Sequence, residues 1–333
     1  MTNRLEEELI MKPKVYIAKP VPKEVEDLIA RHCDYKMWRK DEPIPESELL
    51  KEIADVEGLM TPKGIITKEF LEKAPNLKIV SNIAVGYDGF DISAMKERNI
   101  IGTHTPFVLD DAVADLVFGL ILNTARRINE FDQYVKNSEW NHHLDSEAYF
   151  GKDVHHATLG IIGLGRIGEK IVKRAKLGFD MNVIYHNTSR KYDLESKYSI
   201  DYREMNDVLK EADFVVLMLP LKESTYHIMG SAEFGMMKED AVFINCSRGK
   251  VVDEEALIDA LQNNQIRAAG LDVFEVEPID KDNPLLKMKN VITLPHIGSC
   301  TRDARFDMAM KAAENLVTGL TGKTPPNVVK ELQ

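Results

Sequence analysis

Apolar residues in this chain fall into short unbroken runs, each followed by a segment in which they recur every three or four positions. The first run, Val15-Tyr16-Ile17-Ala18, predicts a strand, and Lys23 to His32, introduced by Pro22, predicts a helix. Pro43 and Pro45 mark a loop. Ser47 to Asp55 reads as a helix, Gly58-Leu59-Met60 as a strand, and Thr67 to Ala74 as a helix capped by Thr67. Lys78 to Ser81 and Ile100 to Thr103 are further strands. Such alternation gives a mostly parallel sheet with helices on its faces, so this first part of the chain is expected to form an α/β unit of its own.

Asp110 to Val135 carries one long helical pattern, about 35 to 40 Å in length at 1.5 Å per residue. Its stripe of Val113, Val117, Leu120, Ile121, Ile128, Phe131 and Val135 is wide enough to face more than one neighbour. It reads as a link between domains and as a dimer surface; a core helix of one domain is the alternative that periodicity leaves open. From Thr158 the alternation restarts. A strand at Leu159 to Ile162 is followed by Met181 to Tyr185, Phe214 to Leu219, Ala241 to Asn245, Ala268 to Val273 and Val291 to Leu294, which makes six strands. A helix over Thr301 to Gly319 and an extended piece over Pro325 to Val329 follow.

Where the Leu159 to Ile162 strand meets the next helical pattern stands Gly163-Leu164-Gly165-Arg166-Ile167-Gly168. The first glycine suits the tight turn, the second a close approach to a pyrophosphate, and the third the packing of helix on strand, with the helix N-terminus facing the phosphates. A dinucleotide is therefore expected here.

Composition narrows the partners. The 333 residues, 44% hydrophobic and 29% charged, suit about two domains. A formal net charge of -11 argues against nucleic acid or an anionic membrane as a partner. Cys33, Cys246 and Cys300 suggest neither a disulfide framework nor a zinc site. The acidic Met1 to Met11 has no apolar leader core, so a cytoplasmic protein is expected. The most apolar helical run, Ala112 to Leu122, is too short to span a bilayer and contains Asp115.

Open α/β sheets bind ligands beyond the carboxyl ends of their strands, and three polar clusters fall there. They are Asn245-Cys246-Ser247-Arg248-Gly249, Asp272-Val273-Phe274-Glu275-Val276-Glu277-Pro278, and Leu294-Pro295-His296-Ile297-Gly298-Ser299. Arg248 offers a planar fork of donors to a carboxylate and carbonyl, His296 can give or take a proton, and Glu277 can orient its imidazole and favour the charged form. Pro220, Cys246, Ser247, Asp272 and Gly298 are the other strand-end positions expected at the cofactor. His142-His143 and His155-His156 lack the spacing and acidic partners of a metal site, and none is expected.

In order and spacing, the glycine turn, Asn-Cys-Ser-Arg-Gly, Gly-Leu-Asp-Val-Phe-Glu-Val-Glu-Pro and Thr-Leu-Pro-His-Ile-Gly-Ser resemble the D-isomer-specific 2-hydroxyacid dehydrogenases, and within them the glyoxylate/hydroxypyruvate and 2-ketogluconate reductases. The similarity extends over nearly the whole chain, including Val80 to Asp88 and Asp111 to Asp115. It implies two doubly wound, Rossmann-like domains with parallel sheets: a discontinuous, flavodoxin-like substrate-binding domain of residues 12–108 plus 300–333, and a dinucleotide-binding domain of residues 109–299. It also implies that His296 is the general acid in reduction, with Glu277 as its partner. Arg248 would bind the 2-oxo acid and polarise its carbonyl, and the backbone N–H groups of Val85 and Gly86 would take the carboxylate. Trp140 would lie near the substrate pocket of a partner subunit in a homodimer formed through residues 109–150. Side-chain size around Leu59 to Lys63 and Trp140 would limit the substrate.

The cofactor variant follows from Tyr185-His186-Asn187-Thr188-Ser189-Arg190-Lys191. An NAD site places a carboxylate here for the ribose 2′-hydroxyl, and this segment has none. Asn187, Thr188 and Ser189 can donate hydrogen bonds, and Arg190 or Lys191 can neutralise a 2′-phosphate. NADP(H) is therefore expected over NAD(H), with NAD(H) still usable, since reductases of this type usually carry an arginine where Thr188 stands. Other readings stand beside this one. A 3-phosphoglycerate dehydrogenase-like chain is expected to continue beyond Gln333 and to be more basic around Asn82 to Gly89, and a formate dehydrogenase to carry an amide at the place of Glu277. A nucleotide-sensing, corepressor-like binding protein shares the fold and can keep the same three polar residues.

Overall fold

The computed structural model describes residues 12–62 and 64–333. The Met1 to Met11 segment and Lys63, each given a role above, lie outside these residues. The chain divides into two compact units: one ends at Leu109 and resumes at Thr301, and the other runs Asp110–Cys300.

In the first unit, strands β1 (Lys14–Ile17), β2 (Asp34–Met37), β3 (Gly58–Thr61), β4 (Ile79–Asn82) and β5 (Ile101–Thr103) alternate with helices α1 (Lys23–His32), α2 (Glu46–Glu52), α3 (Lys68–Glu72) and α4 (Ile92–Glu97). They form one parallel sheet in the order β2-β1-β3-β4-β5, the flavodoxin-like arrangement. Strand β2 is not among those the sequence predicts. It lies at the sheet edge, only Tyr35 and Met37 are even half-buried, and it lacks the apolar run that betrays an inner strand. Thr67 caps α3 by accepting from the Phe70 N–H.

In the second unit, α5 (Asp110–Arg126) and α6 (Ile128–Lys136) lead into β6 (Thr158–Ile162), α7 (Arg166–Phe179), β7 (Asn182–His186), α8 (Tyr192–Tyr198), β8 (Asp201–Tyr202), α9 (Met205–Glu211), β9 (Phe214–Leu217), α10 (Ser231–Phe234), β10 (Val242–Asn245), α11 (Glu254–Gln262), β11 (Ala268–Leu271) and β12 (Val291–Thr293). The sheet is parallel with seven strands, ordered β12-β11-β10-β9-β6-β7-β8, so the expected six is corrected by one. The extra strand, β8, is two residues long at an edge, too short to show a pattern. Several strands are also shorter than expected. Met218, Leu219, Asp272 and Val273 lie just beyond the strands, Met218 and Asp272 still donating to Ile162 and Asn245 of the neighbouring strands.

The long helix is also corrected. Arg127 adopts a left-handed conformation (φ 56°, ψ 35°) and separates α5 from α6, its guanidinium held by both carboxylate oxygens of Glu130 at 2.8 Å. Helix α5 buries Val113, Ala114, Val117, Phe118, Leu120 and Ile121 and packs over β10, β11 and β12. The core reading therefore holds for α5, and the outward stripe is confined to α6, where Ile128 and Val135 are exposed.

Helix α12 (Arg302–Leu320), capped by Thr301, belongs to the first unit for a packing reason. Gly58 has no Cβ, and one placed there would lie 2.9 Å from the side chains of Leu316 and Leu320. Ser81 Oγ donates to the Ala312 carbonyl at 2.7 Å and receives the Thr103 hydroxyl at 3.0 Å, tying β4 and β5 to the helix. Val328 then bridges Thr103. Among the described residues no helix is long and apolar enough to cross a membrane.

At the amino end of the second sheet, the half-buried Asp213 accepts from the Thr158 N–H at 2.8 Å, Lys238 at 3.0 Å and Lys152 at 3.3 Å. Burial alone would raise its pKa, but these donors outweigh it and hold the carboxyl below its ordinary value. A depressed folded-state pKa contributes stability above the unfolded value and loses it as pH falls through the folded one. Asp213→Asn is thus expected to cost about 1 to 3 kcal/mol at neutral pH, and the gap from wild type should close below about pH 4. Denaturant melts across pH measure both.

Candidate active site

The glycine turn is built as the spacing requires. Gly163 has φ 103°, and a Cβ on it would sit 2.6 Å from the Met218 carbonyl. Gly165 precedes α7 with no side-chain cap, leaving first-turn N–H groups free of a capping oxygen, and the space where its Cβ would stand is open. Gly168 lies against Leu164 and the Gly163 carbonyl. This cradle fits a pyrophosphate on the helix N-terminus. Arg166, in the turn, lies 3.4 Å from the buried carboxylate of Asp110, and Ile167 packs on the core behind it.

Beyond β10, Asn245 frames the loop that carries Arg248. Its Oδ1 accepts from the Ser247 N–H and hydroxyl at 3.0 and 2.8 Å, and its Nδ2 donates to the Arg248 carbonyl at 3.0 Å. Arg248 itself donates to the Ser247 carbonyl at 2.7 Å. Asn245 is not among the site residues the sequence singles out, although an Asn two residues before a Ser at a strand end is an Asx-turn signal. Burial, and then Asp272, push the Cys246 thiol well above its ordinary pKa, so it stays protonated and is no nucleophile.

The loops after β11 and β12 meet. Glu277 Oε2 lies 2.9 Å from His296 Nδ1, and its Oε1 accepts weakly from the Phe274 N–H at 3.3 Å. With Nδ1 facing a carboxylate, Nε2 is the nitrogen left for a substrate. His296 has a left-handed backbone (φ 55°), unusual for a residue other than glycine. Asp272 fixes the same loop, accepting from the N–H groups of Ile297 and Gly298 at 2.7 and 2.8 Å. Burial raises the Asp272 pKa against the pull of these donors. The carboxylate of Asp272, a residue expected at the cofactor, thus also anchors the His296 loop. A second pair that the sequence does not announce, His227 Nε2 and Glu275 Oε1 at 2.9 Å, joins the 226–229 segment to the Glu277 loop.

In the first unit, Val85 and Gly86 follow β4. Their carbonyls accept from His104 Nδ1 at 2.9 Å (in its protonated tautomer) and from Asn82 Nδ2 at 2.7 Å. Among the described residues their N–H groups have no hydrogen-bond partner, which leaves two adjacent donors for an anion.

The Gly163 N–H donates to the His186 carbonyl at 3.0 Å, so the segment after β7 begins beside the glycine turn. Asn187 Nδ2 donates to the Ser189 carbonyl at 3.3 Å, and Thr188 and Ser189 are solvent-facing. Arg190 is not idle: its guanidinium holds Glu195 through Nε at 3.1 Å and Nη2 at 2.6 Å. Pro220 follows Leu219, whose side chain lies against Gly163, and is exposed, with its carbonyl accepting from Thr225 Oγ1 at 2.7 Å; Trp140 is 64% exposed. Among the described residues no three His, Cys, Asp or Glu side chains are grouped to hold a metal ion.

Comparison with known proteins places this arrangement. Residues 118–298 match the family model described as D-isomer specific 2-hydroxyacid dehydrogenase, NAD binding domain. The chain is 44% identical to glyoxylate/hydroxypyruvate reductase B of Klebsiella pneumoniae subsp. pneumoniae, over 96% of this chain and 98% of that one. Among solved structures it is similar to a protein of Thermus thermophilus (TM-score 0.87, 37% identity, 95% of this chain and 99% of that one). It is also similar to the NADPH-dependent glyoxylate/hydroxypyruvate reductase of Sinorhizobium meliloti in complex with NADP and malonate (TM-score 0.82, 29% identity, 96% of this chain and 98% of that one). With the uncapped glycine turn opening α7 and the polar loops at the carboxyl ends of the same sheet, these likenesses make the chain a member of the D-isomer-specific 2-hydroxyacid dehydrogenase family.

Proposed function

We propose that this protein reduces a small 2-oxo acid, of the glyoxylate, hydroxypyruvate or 2-ketogluconate kind, to the D-2-hydroxy acid with NADPH preferred over NADH. The observation that carries the reading is Glu277 Oε2 at 2.9 Å from His296 Nδ1, an oriented proton donor beyond the strands whose first turn is the phosphate cradle. In this scheme residues 110–300 hold the dinucleotide, and the N–H groups of Val85 and Gly86 take the substrate carboxylate. Arg248 binds the acid and polarises its carbonyl. The bound nicotinamide supplies the hydride. His296 gives its Nε2 proton to the oxygen as charge develops there, while Glu277 holds the ring through Nδ1. A neutral imidazole remains and is reprotonated from solvent.

Support for NADPH comes from the missing carboxylate at Asn187 to Ser189 and from the cofactor of the Sinorhizobium relative. Absorbance assays with the three acids and both cofactors test the whole reading, with faster oxidation of NADPH expected and Arg190→Ala slowing that reaction alone. A clear preference for NADH would overturn the cofactor reading. No turnover with any acid would favour the nucleotide-sensing alternative.

The exposed Ile128, Val135, Trp140 and Phe150 support a homodimer through α6 and the segment after it. Light scattering at the mass of a monomer would remove that proposal. Three free cysteines fit a cytoplasmic setting, which cell fractionation checks.

A further inference from the structure

The segment after β7 is organised around one carboxylate, Glu195. It takes the Arg190 guanidinium through two hydrogen bonds of 3.1 and 2.6 Å and the Tyr185 hydroxyl at 2.6 Å. Tyr185 is fully buried, and its oxygen in turn accepts the Lys191 N–H at 2.7 Å. The guanidinium lies over the rings of Tyr192 and Tyr202, at 4.8 and 5.3 Å from their centres. Arg190 is thereby fixed in place beside the turn that Gly163 and His186 close, and its charge is already shared with an anion.

We infer that Glu195 is a selectivity-setting residue: it positions Arg190 at the cofactor's ribose end and, by taking two of the guanidinium's donors, limits how strongly that cation favours a 2′-phosphate. This rests on the cofactor reading above. The physical basis is short. A guanidinium has five N–H donors, of which the carboxylate uses two, so a phosphate finds a rigid but partly neutralised partner. A carboxylate on the 2′-hydroxyl itself would reject NADPH outright. One step removed, behind an arginine, it lowers the phosphate's advantage while leaving the hydroxyl form untouched, which produces an enzyme that uses both cofactors. Arg190 and Glu195 are five residues apart, across a loop-to-helix boundary, so no local spacing rule announces the pair.

The test is Glu195→Gln, which keeps an acceptor for Tyr185 and removes the charge. We expect kcat/KM for NADPH to rise about threefold to tenfold through KM, with NADH changed by less than about twofold, and the gain to shrink at high salt. Calorimetric titration reads the same quantity without turnover: 2′,5′-ADP should bind the variant about threefold to tenfold more tightly, and 5′-ADP equally well. Glu195→Ser removes the charge and the anchor of Arg190 together, so its gain for 2′,5′-ADP should be smaller than that of Glu195→Gln. A folded variant with an unchanged or lower preference for the 2′-phosphate would overturn the inference. The wild-type cofactor ratio tests the reading beneath it separately, because the shift in 2′,5′-ADP affinity is measurable whichever cofactor the wild type prefers.

Discussion

Replacing His296 by alanine is expected to lower kcat for 2-oxo acid reduction by about 10²- to 10⁴-fold, the range that a positioned general acid contributes. The affinity for NADPH, followed by fluorescence titration, should change by less than about twofold, because the ring is held by Glu277 and not by the glycine turn. The two loops concerned are independently anchored: Asp272 holds Ile297 and Gly298 whether or not the imidazole is present. The alanine variant therefore keeps its loop and loses its proton. Glu277→Gln should be milder. The amide oxygen can still accept from Nδ1 and hold the ring, while the carboxylate charge beside it is gone. If His296→Ala kept wild-type turnover, the proton would have to come from elsewhere and the mechanism would fail.

What the sequence could and could not show follows from the range of each interaction. Inner strands such as β6, β9 and β10 bury both faces and leave unbroken apolar runs, and Gly163 to Gly168 sits at a strand-to-helix boundary that periodicity alone locates. Edge strands β2 and β8 bury too little to leave such a mark. The break at Arg127 depends on a left-handed backbone held by Glu130, in a segment with no Gly or Pro to announce it. At the candidate site, residue types and their strand-end positions were readable, since motifs carry them. Distances were not: Glu277 and His296 are nineteen residues apart and meet only because β11 and β12 are neighbours in the sheet. Nor was the division of labour among carboxylates. Asp272, a strand-end position in sequence, also braces the His296 loop, while Glu195, unremarkable in sequence, holds the Arg190 guanidinium.

Gly249→Ala should be nearly as damaging as loss of His296, though residue 249 has no reactive group. A Cβ there would overlap the Phe274 carbonyl and the Glu275 N–H, both backbone, so no flexible side chain can move aside. The loop cannot retreat either. On its other side His227 N donates to the Lys250 carbonyl at 3.0 Å and Met229 N to that of Val251 at 3.2 Å. Relief has to come from separating the Arg248 loop from the segment that leads to Glu277, the two groups whose relative placement the proposed chemistry needs. A displacement of about 1 Å in such a pair costs on the order of 100-fold in rate, and overpacking of this kind costs about 1 to 3 kcal/mol of stability. The expected result is a lowered melting temperature together with a kcat reduced at least about 100-fold. Gly165→Ala makes the opposite case. Nothing lies within 4 Å of its Cβ position, and its φ of -99° suits alanine, so stability should hold while cofactor affinity falls, because the methyl would fill the space a pyrophosphate needs. Thermal melts and NADPH titrations on the two variants separate a glycine required by the protein's own backbone from one required by its ligand. Were both to lose only cofactor affinity, the close approach at Gly249 would not be what holds Arg248 in place.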